Sequence, residues 1–180
     1  MGVGKASDNF DSCEDDMKEA KPQVEHEWLH KLLGDWTFEG RMDMGPGNPP
    51  KQATGTERFT SLGDFWVRSE GFGPPPEGAP STWSLTLGYD PKREKFIGTW
   101  IGSMMPNMYV YEGVRDGGGR VLTLDAAGPS MTDENKTARY QDIIEFVDDD
   151  HWVMRSQVLG EDGAWSQFME THYRRATSSR

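Results

Sequence analysis

Three stretches near the C-terminus decide the fold: 138-ARYQDIIEFV-147, 151-HWVMRSQVL-159 and 164-AWSQFMETHYRR-175. Each alternates large apolar with polar side chains, the period of a strand with one buried face. Asp148-Asp149-Asp150 and Glu161-Asp162-Gly163 separate them as turns. Pairing the last two so that Met154 faces Met169 brings Val158 to Trp165, Ser156 to Gln167 and Trp152 to Thr171. The opposite face then carries His151, Val153, Arg155, Glu170, His172 and Arg174. The preceding strand adds Tyr140, Asp142, Ile144 and Phe146 to the apolar face, and Arg139, Gln141 and Glu145 to the wet one.

Working back toward the N-terminus, the same grammar predicts strands at 36–43, 54–61, 65–71, 82–89, 95–103, 107–115 and 120–126. Turn clusters fall between them: Gly45-Pro46-Gly47, Gly73-Pro74-Pro75-Pro76, Asp90-Pro91 and Asp116-Gly117-Gly118-Gly119. About ten short strands without intervening helices indicate an all-β antiparallel meander, and closing it into an up-and-down barrel removes its exposed edges. Pro22 opens a short helix in which Val24, Trp28, Leu29, Leu32 and Leu33 recur at helical spacing, and Gly34 stops it. That helix is expected to close one end of the barrel. Beyond Met1 and Val3, residues 1–21 hold only Phe10 and Met17 as large apolar groups and read as a disordered acidic tail. Residues 22–176 read as the single barrel domain, and 177–180 as a disordered end.

The 180 residues include 19 Lys+Arg and 30 Asp+Glu, a formal net charge of -11. So acidic a surface repels phosphate backbones and anionic membranes, which argues against nucleic acid or membrane as partner. The N-terminus lacks the apolar core of a secretion signal. The single cysteine, Cys13, permits no intrachain disulfide, which favours a reducing, cytoplasmic compartment.

His26-Glu27-Trp28-Leu29-His30 matches the H-E-x-x-H pattern of zinc hydrolases. The helix is short and opens the domain, and Trp36 stands where an extended motif would need a third histidine. Two surface histidines on an exposed helix are the expected reading, with no metal. Gly117-Gly118-Gly119 is a hairpin turn, and neither a phosphate loop nor a G-x-S-x-G elbow occurs.

Several stretches together resemble the bacterial domain-of-unknown-function 1579 family: His26-x-x-Leu29-x-x-Leu32-x-Gly34-x-Trp36, Gly88-Tyr89-Asp90-Pro91 and Phe96 through Met105. Tyr111-Glu112-Gly113, Leu122-Thr123-Leu124 before Gly128-Pro129, and Asp162-Gly163-x-Trp165 to Tyr173-Arg174-Arg175 continue the match. The resemblance covers Pro22 to Arg175. That family is similar to the calycin barrels, among them lipocalins, fatty-acid-binding proteins and nitrobindin-like haem barrels. By that likeness Trp36 would plug the closed end of the barrel beneath Arg174 or Arg175. The family name assigns no activity.

The residues expected to meet a ligand are Trp36, Tyr140, Asp142, Met154, Ser156, Gln167 and Met169 on the wall. Tyr109 and Tyr111 supply hydroxyls, and Ser103, Met104 and Met108 form a soft lip beside Met105 and Met131. Haem is disfavoured because His151 and His172 fall on the wet face, so no cofactor is expected. The leading expectation is a small, mostly apolar or amphipathic molecule bound inside the barrel. The alternative is an enzyme doing acid-base or pericyclic-type chemistry on a hydrophobic substrate there. A third reading is an interaction module, with homodimerisation open.

Overall fold

A computed structural model describes residues 20–74, 79–133 and 135–177. The expectation of a disordered tail concerns residues almost all outside that set, as does the proposed C-terminal end. A six-residue helix α1 (Val24–Leu29) runs into a single 3₁₀ turn at His30–Leu32. Ten strands follow: β1 (Gly34–Met42), β2 (Lys51–Leu62), β3 (Trp66–Gly73), β4 (Ser81–Asp90) and β5 (Lys95–Gly102). They continue with β6 (Met108–Arg115), β7 (Val121–Pro129), β8 (Thr137–Asp148), β9 (His151–Leu159) and β10 (Trp165–Arg175). Each pairs antiparallel with its sequence neighbour, and β1 pairs with β10, so the sheet closes into an up-and-down barrel. No helix among the described residues is long and apolar enough to cross a membrane.

Alternation fills one end of the barrel. Trp36, Phe59, Val67, Leu87, Phe96, Leu122, Ile144 and Trp152 face inward and are fully buried there. α1 lies across that end with Trp28, Leu29 and Leu32 pointing down into the core. Trp28 packs edge-on against Phe96 and Phe146, and its indole N–H donates to Gly119 O at 2.6 Å. The indole N–H of Trp36 donates to Leu32 O at 2.7 Å.

The closing joint is the one the calycin likeness implies, and the arginine is Arg175. Its guanidinium carbon sits 4.3 Å from the centroid of the Trp36 ring. Its nitrogens donate at 2.9 Å to Leu33 O, Asp149 O and the Asp150 carboxylate. Gly34, at φ +121°, makes the approach possible: a Cβ there would stand 2.8 Å from Arg175 Nη1.

The register of the last hairpin differs from the expectation. Trp152 pairs with Tyr173, Met154 with Thr171 and Ser156 with Met169. The expected pairing is slipped by two residues. A slip of two keeps each of these side chains on its own face. What fixes the observed register is the stacking of Trp152 on Tyr173, with ring centroids 3.7 Å apart and planes 5° from parallel. Beyond Met169 a β-bulge inserts Phe168, so Gln167 pairs with Gln157 and Trp165 with Leu159. The extra residue reverses the alternation and turns Gln167 to the outer, exposed face.

Replacing Trp36 with alanine removes the plug and the platform for Arg175. Urea unfolding of Trp36→Ala is expected to show a loss of about 3–5 kcal/mol, the range for truncating a buried aromatic. A loss below about 1 kcal/mol, the scale of surface substitutions, would contradict this account of the closed end.

Candidate functional site

Above the packed end, the inward residues change character. Glu57 on β2 and Asp142 on β8 both face the interior, each among hydroxyl donors. Asp142 accepts from the Tyr111 hydroxyl on β6 and the Ser156 hydroxyl on β9. Strand pairing places Asp142 between Leu124 and Ser156, so it is enclosed on both sides, yet part of its surface faces the barrel lumen. Glu57 accepts from Ser69 Oγ on β3 at 2.5 Å, and Tyr173 and Trp83 lie close enough to donate as well.

Burial pushes the Asp142 carboxyl above the usual carboxylate range, against the opposing pull of its Ser156 and Tyr111 hydrogen bonds. Glu57 is raised for the same reason, against donors Ser69, Tyr173 and Trp83. The tyrosines respond in turn. Burial pushes Tyr111 well up, with the charge of Asp142 adding to it. Tyr173 is raised well above its usual range by burial, by Glu57 and, more weakly, by Asp142. Each carboxyl thus sits in its own network of donors, and Tyr173 feels the charge of both.

The wall on the open side of this network is aromatic. Phe38 lies 5.5 Å from Trp83, Trp100 6.0 Å from Tyr109, Tyr109 5.8 Å from Tyr140, and Tyr140 6.2 Å from Phe168. Trp83, Trp100, Tyr109 and Phe168 face inward but are only half-buried, whereas the aromatics of the closed end are sealed. Between β6 and β7 the ladder spans only Glu112–Arg115 against Leu122–Asp125. Above it the Tyr109 ring lies against Gly128, where a Cβ would meet the ring at 2.4 Å.

The expected site residues divide three ways. Tyr109, Tyr111, Tyr140, Asp142, Met154, Ser156 and Met169 all lie on the inner wall, and the Tyr140 hydroxyl donates to Pro129 O at 2.5 Å. Trp36 is inward but sealed in the closed end. Gln167 lies outside by reason of the bulge, and Met108 pairs with Ile101 on the outer face. Ser103 is exposed at the rim, where its hydroxyl accepts from Thr82 N, and Met104 folds back toward Gly102 and Trp100.

The histidines of the H-E-x-x-H segment are not a surface pair. His26 is 2% exposed, wedged edge-on against Phe65 and Tyr89. Gln23 N donates to its Nδ1 at 2.9 Å, which leaves Nε2 to donate to Tyr89 O at 3.2 Å. Both ring nitrogens are committed to the fold. No group of three or more His, Cys, Asp or Glu side chains suited to a metal occurs among the described residues. His151 and His172 touch on the outer face, Nε2 to Nδ1 at 3.0 Å, beside the ladder Glu145–Arg155–Glu170.

A short lid helix, a closed meander of ten strands and a tryptophan plug under a C-terminal arginine define a calycin-like barrel. The chain belongs to the family described as "Protein of unknown function (DUF1579)", whose model matches residues 21–175. A search of the curated proteins finds no match. Among solved structures it is similar to Rv2717c from M. tuberculosis, at 14% identity and TM-score 0.61, over 87% of this chain and 100% of that one. It is also similar to the S-type phycobiliprotein lyase CPES from Guillardia theta, at 16% identity and TM-score 0.55, over 88% and 100%. At these identities the likeness shows the shared fold.

Glu57 and Asp142 hold their protons more tightly in the folded chain than in the unfolded one. Their contribution to stability is whole below the ordinary carboxyl value of about 4 and is lost as pH rises through the raised folded value. Asp142→Asn removes one such loss. The difference in urea midpoint, variant minus wild type, should therefore grow in the variant's favour from pH 4 to pH 7. A difference that does not change with pH would contradict the enclosed carboxyl.

Proposed function

We propose that the barrel interior binds a small, mostly apolar molecule, its body against Trp83, Trp100, Tyr109 and Met154 and its polar group beside Asp142. The observation that carries this reading is the contrast between the two ends. The aromatics of the lidded end are sealed, while Trp83, Trp100, Tyr109 and Phe168, at inward registers toward the other end, keep part of their surface accessible. An apolar wall with a few convergent polar groups is the usual make-up of a ligand site. Glu57 and Asp142 are buried at an electrostatic cost, and an apolar core at those positions would stabilise the fold more simply.

A second reading rests on one observation. Asp142 is raised by burial and hydrogen-bonded to Tyr111 and Ser156, an arrangement suited to a general acid acting on a hydrophobic substrate. Turnover of a bound molecule, absent in Asp142→Asn, separates catalysis from binding. The acidic surface and single cysteine support a reducing, cytoplasmic setting for either role, with the barrel at residues 22–176 as the functional unit.

The test uses N-phenyl-1-naphthylamine, an uncharged dye that brightens in apolar surroundings. One dye per chain is expected to bind, and native mass spectrometry of freshly purified protein is expected to show a co-purified small molecule. Met154→Trp, which fills the lumen, should abolish dye binding while thermal unfolding stays cooperative. Dye that fails to bind, or binds equally to Met154→Trp, would overturn the interior site.

A further inference from the structure

The charge of the lumen is lopsided. Glu57 and Asp142 both face inward, and neither has a basic partner. Every group that acts on Asp142 is a hydroxyl, from Ser156 or Tyr111. Those acting on Glu57 are Ser69, Tyr173 and Trp83. Among the described residues, basic side chains at inward registers occur only at strand ends. Lys51 is exposed opposite Met42 at the rim. Arg115 lies at the lidded end, its guanidinium carbon 5.9 Å from the Trp28 ring centroid, and pairs with Glu25. Arg175 lies behind the Trp36 plug.

A buried carboxyl without a cation meets its charge requirement by keeping its proton or by receiving a cation from outside. A lumen built for a fatty acid or other anion would need the reverse, a basic group at the same depth. The rings on the open side offer a cation a second attraction. Phe38 and Trp83 form one inward aromatic pair, and Trp100, Tyr109, Tyr140 and Phe168 a run of four neighbours. Faces of tryptophan and tyrosine attract ammonium groups. A carboxyl below and aromatic faces around are complementary to an amine on a flat or apolar body. The overall charge of -11 draws such a ligand toward the barrel.

We infer that the lumen selects a cationic amphiphile, a protonated or quaternary amine on an aromatic or aliphatic body, with its nitrogen against Asp142 and its body along the inward aromatic side chains. This rests on the interior-binding reading above and adds the ligand's charge to it. On binding, a protonated Asp142 releases its proton to solvent and forms an ion pair with the ammonium. The titratable groups that face Asp142 are Tyr111, Tyr109 and Tyr173, with Tyr140 beside Tyr109 and Glu57 beyond Tyr173. None of them adds positive charge.

The experiment displaces N-phenyl-1-naphthylamine from the full chain with three compounds of one shape at pH 7.5. These are 2-(1-naphthyl)ethylamine, 1-ethylnaphthalene and 1-naphthylacetate, which are cationic, neutral and anionic. The amine is expected to displace dye at least tenfold more effectively than either of the others. In Asp142→Asn that preference should fall to within threefold. Should that variant not fold, the order among the three compounds on the wild-type protein still decides. Dye that binds and is displaced equally well by the neutral or the anionic compound would overturn the charge selection and leave interior binding standing. Dye that does not bind at all would overturn both.

Discussion

Arg175 lying over Trp36 is the contact on which the barrel depends. It joins the last strand to the first, at the point where an up-and-down sheet must find its own beginning. The joint needs a glycine at 34 to let the guanidinium in, a tryptophan to receive it, and carbonyls of Leu33 and Asp149 to fix its plane. With that end shut and α1 laid across it, the alternating side chains have one direction left in which to leave space. The packed half therefore supplies the apolar burial that stabilises the fold, at roughly 25 cal/mol per Å². That burial lets the other half remain polar and partly accessible.

The two carboxyls have to be understood against this division. A natural barrel of this size gains nothing in stability from Glu57 and Asp142, since burial raises both and no cation compensates. The partner of Glu57 comes from the adjacent β3, and those of Asp142 from β6 and β9, so the Asp142 network ties three strands together. A network of that reach fixes side-chain positions around a cavity, which is what a selective site requires. The Ser156 and Tyr111 hydroxyls favour the ionised carboxylate, so Asp142 can take up charge when a cation enters without rebuilding its wall.

All ten strands were legible in the sequence, most of them because an apolar-polar alternation of period two survives in them, and so was the inner set on β8, Tyr140, Asp142, Ile144 and Phe146. Glu57 was not. In 51-KQATGTERFTSL-62 only Phe59 and Leu62 are large and apolar, so the pattern gives no inner face for the glutamate to break. Its burial comes from what lies across the sheet, namely Trp36 on one side and Gly71 beneath Trp83 on the other. Gln167 failed in the opposite way: the alternation pointed inward, and the Phe168 bulge, which no single strand's pattern reveals, turned it out. His26 reads from the sequence as a surface histidine on an exposed helix, because the helical pattern around it is local. Its burial depends on Phe65 and Tyr89, remote in sequence.

The account stands on enclosed, cation-free carboxyls inside the lumen, and carboxyl-carbon NMR reads them directly. With ¹³C-labelled aspartate and glutamate, and Asp142→Asn and Glu57→Gln to assign the signals, a pH titration follows each carboxyl in the folded protein. Both are expected to titrate above the ordinary carboxyl value of about 4, and Asp142 is expected to shift toward its ionised position when 2-(1-naphthyl)ethylamine is added. Signals that titrate with the surface carboxyls and do not respond to the amine would contradict the account.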